Sequence, residues 1–449
     1  MFKEPLPRRE FLKGAGISAA ALMLGACAPR LSKIGPHGSG EIQLVYQDWR
    51  TDWFPGLASQ MLARFSELFP SIHVFFTSTP ENLTDRMLED FEAGTAPDVL
   101  AGCCEFLPEW AQKGYLMDLK PFIEADLDRS VQDDWSAAQF KALSLSDGQQ
   151  FAVPKYHGAL ALYFNKDVFD KYNVPYPDDT WTHDDYQNAM SRIRRINNVS
   201  GDAKIWPSMI EIAWDRLQMH VNGWGGHFVD PLDDRLSLMG EERSIEAFRW
   251  IKDQMWSRGH YATIADVNNL QTRQAFSRGL VAMVEDGSWA LKDILESANF
   301  RVGVATFPAG PAKKVTLSTT DGFAIYKGTS YPEAAWELVK FLTGEEYGRA
   351  MIDTHLLQPA RASLMPAWIN TIHTQYPDKA RELDLEAFTR GNTQGYSVTA
   401  EIFANMGEAR ALARSAWNKI FHMNSAEVEI LREVSLQIQE AQQPRGADV

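Results

Sequence analysis

Short apolar runs alternate along this chain with longer stretches in which apolar residues recur every three or four positions, a pattern of strands and amphipathic helices. Residues 42–46, 72–77 and 97–101 predict strands, and residues 54–69 and 81–93 predict helices between them, the second ended by Gly94. That order, strand and helix in turn, predicts a doubly wound parallel α/β sheet. Further on, Ile245, Phe248, Ile251 and Met255 fall on one side of a helix over 241–257, and residues 300–307 and 321–325 predict strands. Ser330 and Glu333 predict a capping box for a helix through 341, and the 182–185 run predicts a cap for a helix over 183–196. Two final helices are expected over 399–421 and 425–439.

The organising stretch is residues 148–166. Phe151 to Val153 is one short extended piece; Leu160, Leu162 and Phe164 alternate with Ala159, Ala161 and Tyr163, so the second piece is apolar on both faces, as a strand buried inside a sheet is. Lys155, Tyr156, His157 and Gly158 lie between them and predict a bend where the chain leaves one lobe, crosses a cleft and enters another. Tyr156 and His157 are therefore candidate ligand residues. Beyond the first strand lie Trp49, Arg50, Asp52 and Trp53, where ligands of open α/β sheets gather. Trp224 sits among three glycines, which would let a ligand approach it or would simply make a turn.

Several of these segments resemble the extracellular solute-binding proteins of carbohydrate ABC importers, the maltodextrin-binding group. The resemblance is carried by Gly148-x-x-Phe-x-x-Pro154, by Ala161 to Phe169 with Tyr163, Asn165 and Lys166, by the 177–182 run with Trp181, by the Gly-x-Leu-x-Asp-Leu segment at Gly114 and by residues 274–289, which end in Gly287-Ser288-Trp289. It spans about residues 41–440. It implies a periplasmic-binding-protein-like fold: two doubly wound α/β lobes joined by a three-strand hinge, with lobe 1 formed by 41–155 and 318–362 and lobe 2 by 156–317 and 363–442. It further implies that Trp289 stacks on the ligand, that Asp286 accepts a hydroxyl, that Cys103, Cys104 and Glu105 face the cleft, and that the second and third crossings bring Asp321 and Arg361 to it.

The composition fits that picture. With 449 residues, 45% of them hydrophobic, the chain can bury more than one core. A formal net charge of −15 excludes sequence-independent nucleic-acid binding, which needs a basic surface. Residues 1–26 read as a signal peptide, because Arg8-Arg9-Glu10-Phe11-Leu12-Lys13 resembles a twin-arginine signal and Leu24-Gly25-Ala26-Cys27 a lipobox. Cys27 would then carry lipid and 27–40 would be a tether, leaving a lipid anchor in the bacterial cell envelope. The adjacent Cys103 and Cys104 leave three readings open: buried thiols, a vicinal disulfide, or a metal site that no partner spacing supports.

These features converge on a monomeric receptor that needs no cofactor or metal, closes two lobes around a sugar and presents it to a membrane permease. Two rivals stand beside it. A binding protein for glycerol phosphate or another solute would use cations such as Arg50, Lys155 and Arg361. A secreted glycosidase would need two carboxylates at a defined separation, but the chain carries no hydrolase motif.

Overall fold

The computed structural model describes residues 41–443, apart from 52, 81–82, 104–105 and 201–203. The expected signal peptide, Cys27 and tether lie outside the described residues, as do Asp52, Cys104 and Glu105. No described helix is long and apolar enough to cross a membrane.

Eleven strands are described: β1 (Ile42–Asp48), β2 (Ile72–Ser78), β3 (Val99–Gly102), β4 (Val153–Asn165), β5 (Trp206–Met209), β6 (Val229–Asp230), β7 (Asp233–Ser237), β8 (Val281–Gly287), β9 (Val302–Ala305), β10 (Thr316–Ile325) and β11 (Ser397–Val398). Apart from the β6–β7 hairpin they form one hydrogen-bonded sheet in the order β2-β1-β3-β10-β4-β8-β5, with β9 also beside β4 and β11 beside β10. At its ends the sheet is parallel, β1 pairing with β2 and β3 and β5 with β8. Its middle is antiparallel, because β4 and β10 run through from one lobe to the other in opposite directions. Along one edge β4 pairs with β10 over residues 153–159 and then with β9 over 162–165, so a single strand serves both lobes.

The expected bend at 155–158 is not there. β4 is one continuous strand of 13 residues, all buried except Tyr156, which is partly so. The reason is a partner far away in sequence. Lys155 reaches a carboxylate oxygen of Asp48, at the end of β1, and lies 4.0 Å above the Phe54 ring. With its charge matched inside the sheet, the lysine need not reach water, and β4 passes straight through. The third crossing follows alongside: Gln358 O accepts from His157 N (2.9 Å), and Pro359 bridges to Tyr156.

Each lobe buries its own apolar faces. In the first, Leu44, Tyr46, Phe65, Phe323 and Trp336 pack together. In the second, Phe169, Ile193, Leu217, Phe248 and Trp417 fill one side of the sheet, and Tyr163, Val284, Leu291 and Trp368 the other. The terminal helices Met406–Trp417 and Ile430–Ala441 contribute Ala413, Trp417, Leu431 and Ile438 to this second core. Full burial of a side chain such as Leu217 contributes roughly 1.5–3 kcal/mol. The cap at 182–185 forms as the sequence predicts, with Thr182 N and Oγ1 donating to Asp185 Oδ2 (2.9 and 2.7 Å). The box at Ser330 does not: Tyr331 is the N-cap without a side-chain bond, and Pro332, at N1, starts the helix by its fixed φ.

Candidate functional site

Between the lobes lies a cleft of about 1100 Å³. Trp49 and Trp53 come to it from the loop after β1, Tyr156 from β4, Asp321 from β10, and Asp286 and Trp289 from the end of β8 and the turn after it. These six were all expected there, and Cys103, partly buried, also reaches the wall.

Trp289 owes its position to two glycines. A Cβ on Gly158 would sit 2.7 Å from its ring and one on Gly287 2.2 Å, so the indole lies against bare backbone of β4 and β8. Its ring centroid is 5.6 Å from the Arg216 guanidinium. Trp49 is fixed by its edge instead: Nε1 donates to Asp321 Oδ1 (3.1 Å), and the half-buried indole packs on the first lobe's core while still lining the cleft. Trp53 differs, because its ring is sandwiched between Phe54 (4.2 Å, 24°) and His355 (4.1 Å, 11°). Both its faces are taken, and only its edge is presented to the cleft.

The polar groups are held in a connected chain. His355 Nε2 lies 3.2 Å from Asp293; Asp293 accepts from Arg273 (2.7 Å), which also donates to Asp286 Oδ2 (2.9 Å). Arg216 reaches Asp286 Oδ1 (3.5 Å), Glu211 (3.5 Å) and, more closely, Asp215. Side chains tied at both ends lose little entropy when they bond a ligand, which favours preorganised recognition. Asp321 is 1% exposed; burial pushes its carboxyl up to about 6, against the opposing pull of the Lys155 charge and the Trp49 hydrogen bond. It is therefore ionised at neutral pH and takes up a proton in mild acid.

Four expected residues are elsewhere. His157 follows Tyr156 on β4, and neighbours on a strand face opposite ways; its ring bonds Asn392 Nδ2 (2.7 Å), and burial lowers it to about 4. Trp224 packs on His183 (4.6 Å) and Trp250 (5.4 Å) in the second lobe, because the glycines around it make a turn rather than a ligand approach. Arg361 donates from Nε to Thr343 O (2.9 Å) and faces Asp134 (3.4 Å), which holds it on the outside of the third crossing. Arg50 is exposed and is not among the residues that line the cleft; its backbone N–H donates to Thr79 Oγ1 (3.0 Å).

Arg216, Arg273, Asp293 and His355 were not anticipated. Arg273 directly precedes the 274–289 motif and could have been flagged by it. The other three lie on helices whose facing is set by packing, and their spacing carries no signal. Among the described residues no group of three or more His, Cys, Asp and Glu side chains is arranged to hold a metal ion.

Two lobes, three crossing segments and a preorganised aromatic and polar cleft define a protein that binds a solute by closing around it. Residues 49–349 match the family model of the bacterial extracellular solute-binding proteins, and the chain belongs to that family. It is 22% identical over 339 residues to a binding protein of Brucella abortus strain 2308, covering 74% of this chain and 76% of that one. Its fold is similar to that of an ABC substrate-binding protein from Listeria monocytogenes in complex with cycloalternan, with a TM-score of 0.77, 20% identity, and 89% and 99% of the two chains covered. It is also similar to UgpB from Mycobacterium tuberculosis in complex with glycerophosphocholine, with a TM-score of 0.70, 18% identity, and 90% and 98% covered. The chain is thus a solute-binding component of an ABC importer, a transport protein of the cell envelope.

Proposed function

We propose that the protein captures a neutral mono- or oligosaccharide in this cleft and delivers it to the transmembrane subunits of its importer, acting as a monomer held to the membrane by lipid on Cys27. The observation that carries the reading is the pairing of two half-buried indoles on the cleft lining, Trp49 and Trp289, with carboxylates and guanidiniums fixed beside them. Apolar sugar faces stack on such rings, and hydroxyls bond the fixed polar groups. The bound cycloalternan of the Listeria neighbour supports the same class of ligand. Contacts from both lobes would stabilise the closed form. No bond is made or broken.

The glycerophosphocholine of the other neighbour keeps a phosphate-bearing solute as the second reading. Two of the cations that would serve it are committed elsewhere, Lys155 to Asp48 and Arg361 to Thr343 and Asp134. A thermal-shift screen against neutral sugars, polyols and glycerol phosphates separates the two. A sugar at 100 times its dissociation constant stabilises the fold by about 2.7 kcal/mol. Stabilisation by phosphates alone would overturn the sugar reading.

A further inference from the structure

Behind the second lobe's wall of the cleft runs a buried chain of polar groups that are not among the residues lining the cleft. His183 Nδ1 lies 3.0 Å from Ala309 O; His183 Nε2 lies 3.1 Å from His220 Nδ1; His220 Nε2 lies 3.0 and 3.2 Å from the two oxygens of Glu285. All three side chains are buried, His220 and Glu285 essentially completely. Among the described residues His220 is the ion-pairing partner of Glu285. Tyr186 and Tyr261 face the Glu285 carboxyl from neighbouring elements, and Tyr186 bonds Ser208 (2.7 Å). The rest of the surroundings are rings: Trp224, Trp250 and Phe307.

Three links in a row need three hydrogens. The carbonyl of Ala309 can only accept, so His183 Nδ1 must donate to it. His183 is then neutral with a lone pair on Nε2, a state that burial and the neighbouring His220 favour by lowering its pKa to about 3. His220 Nδ1 must therefore donate to His183. Two neutral imidazoles supply two hydrogens, and the third, between His220 Nε2 and Glu285, has to be an additional proton on one of them. With that proton the unit has no net charge, the cheapest state for a buried site. Without it, two acceptors face each other whichever tautomers are chosen; with one more, an unmatched positive charge is buried.

The unit joins the same two elements that build the cleft wall. His220 is one turn beyond Arg216 on the helix Trp214–Gly223, and Glu285 precedes Asp286 on β8. We propose that Glu285, His220 and His183 act as one positioning unit that shares a single proton and, through it, keeps the helix bearing Asp215 and Arg216 docked on β8. Ligand affinity then depends on that docking, and so on the shared proton. That consequence rests on reading the cleft as the ligand site; the proton count does not.

Glu285→Gln tests the idea, because an amide N–H supplies the third hydrogen without ionising. Melting temperatures of ligand-free wild type, E285Q and E285L are compared from pH 5 to 9.5. E285Q is expected to melt within about 2 °C of wild type near pH 7, with the difference shifting in its favour at both ends of the range. E285L, which leaves His220 without an acceptor or donor, is expected to melt roughly 5 °C lower throughout. A difference between wild type and E285Q that is constant with pH, or an E285L as stable as E285Q, would overturn the proposal. Histidine ¹⁵N spectra of the wild type give an answer even should a variant not fold: His183 must appear as the neutral Nδ1–H tautomer at pH 7, and any other form refutes the count. Dissociation constants for a sugar found by the screen should vary with pH in wild type and be flatter in E285Q. Absence of any sugar ligand would defeat the transport reading while leaving the melting and spectral results to decide this one.

Discussion

Gly158→Ala is the most direct probe of how the fold shapes the ligand site. The new methyl would lie 2.7 Å from Trp289 Cε3 and Cζ3 and 2.3 Å from Thr319 Oγ1. Carbon atoms pack at about 3.5–4.0 Å, so the indole has to move by roughly 1 Å or β4 has to part from β10. Overpacking of this kind costs about 1–3 kcal/mol of stability. The displaced ring would also leave its place over the cleft, and the loss of one aromatic contact, about 1.4 kcal/mol or more, is a tenfold rise in Kd. Chemical denaturation gives the first quantity, titration calorimetry with a sugar ligand the second, and the tryptophan emission spectrum reports the move itself. Gly94→Ala is the control: its φ of +68° makes alanine unfavourable by about 1 kcal/mol, but nothing lies within 4 Å and the cleft is remote. A G158A protein that binds as tightly as wild type with an unchanged emission spectrum would refute the claim that backbone glycines seat Trp289.

Three further outcomes follow from the site. Because burial raises the Asp321 carboxyl to about 6 from an ordinary 3.8, its contribution to stability is fully present below about pH 3.8 and lost as pH rises through 6; Asp321→Asn should remove that dependence, on the order of 3 kcal/mol, from denaturation curves measured between pH 4 and 7. His355→Ala should free one face of Trp53 and leave Asp293 with Arg273 alone, lowering stability by about 1–2 kcal/mol and altering tryptophan fluorescence, whereas unchanged fluorescence would contradict the stacked geometry. Arg216→Ala should cost about 3 kcal/mol, since it leaves Asp215 without its close partner and weakens the hold on Asp286; a loss under 1 kcal/mol in urea unfolding would argue against a tightly coupled network.

What the sequence disclosed and what it hid divide along physical lines. The alternating and all-apolar runs of β1, β4 and β10 announced a sheet, since burial of a strand depends on its own residues. The bend at Lys155 was misplaced because its charge is matched by Asp48, 107 positions away, a pairing that no local pattern announces. Tryptophan content also pointed two ways: of the fourteen in the chain, Trp110, Trp135, Trp181, Trp206, Trp214, Trp336, Trp368 and Trp417 are buried in the cores, so abundance alone does not mark a sugar site. Position at a strand end was the better guide to Trp49, and the resemblance carried by residues 274–289 was the guide to Asp286 and Trp289. Helix residues such as Arg216 and Asp293 escaped because a helix face acquires meaning only once its neighbours are known.

The central claim is that sugars are held between Trp49 and Trp289 in the cleft. Calorimetric titration of the soluble chain with a panel of neutral oligosaccharides, repeated on Trp289→Ala, tests it most directly. The account predicts saturable binding of at least one sugar, weakened tenfold or more by the substitution. Binding that is equally tight in W289A, or a panel on which glycerol phosphates bind and no sugar does, would contradict it.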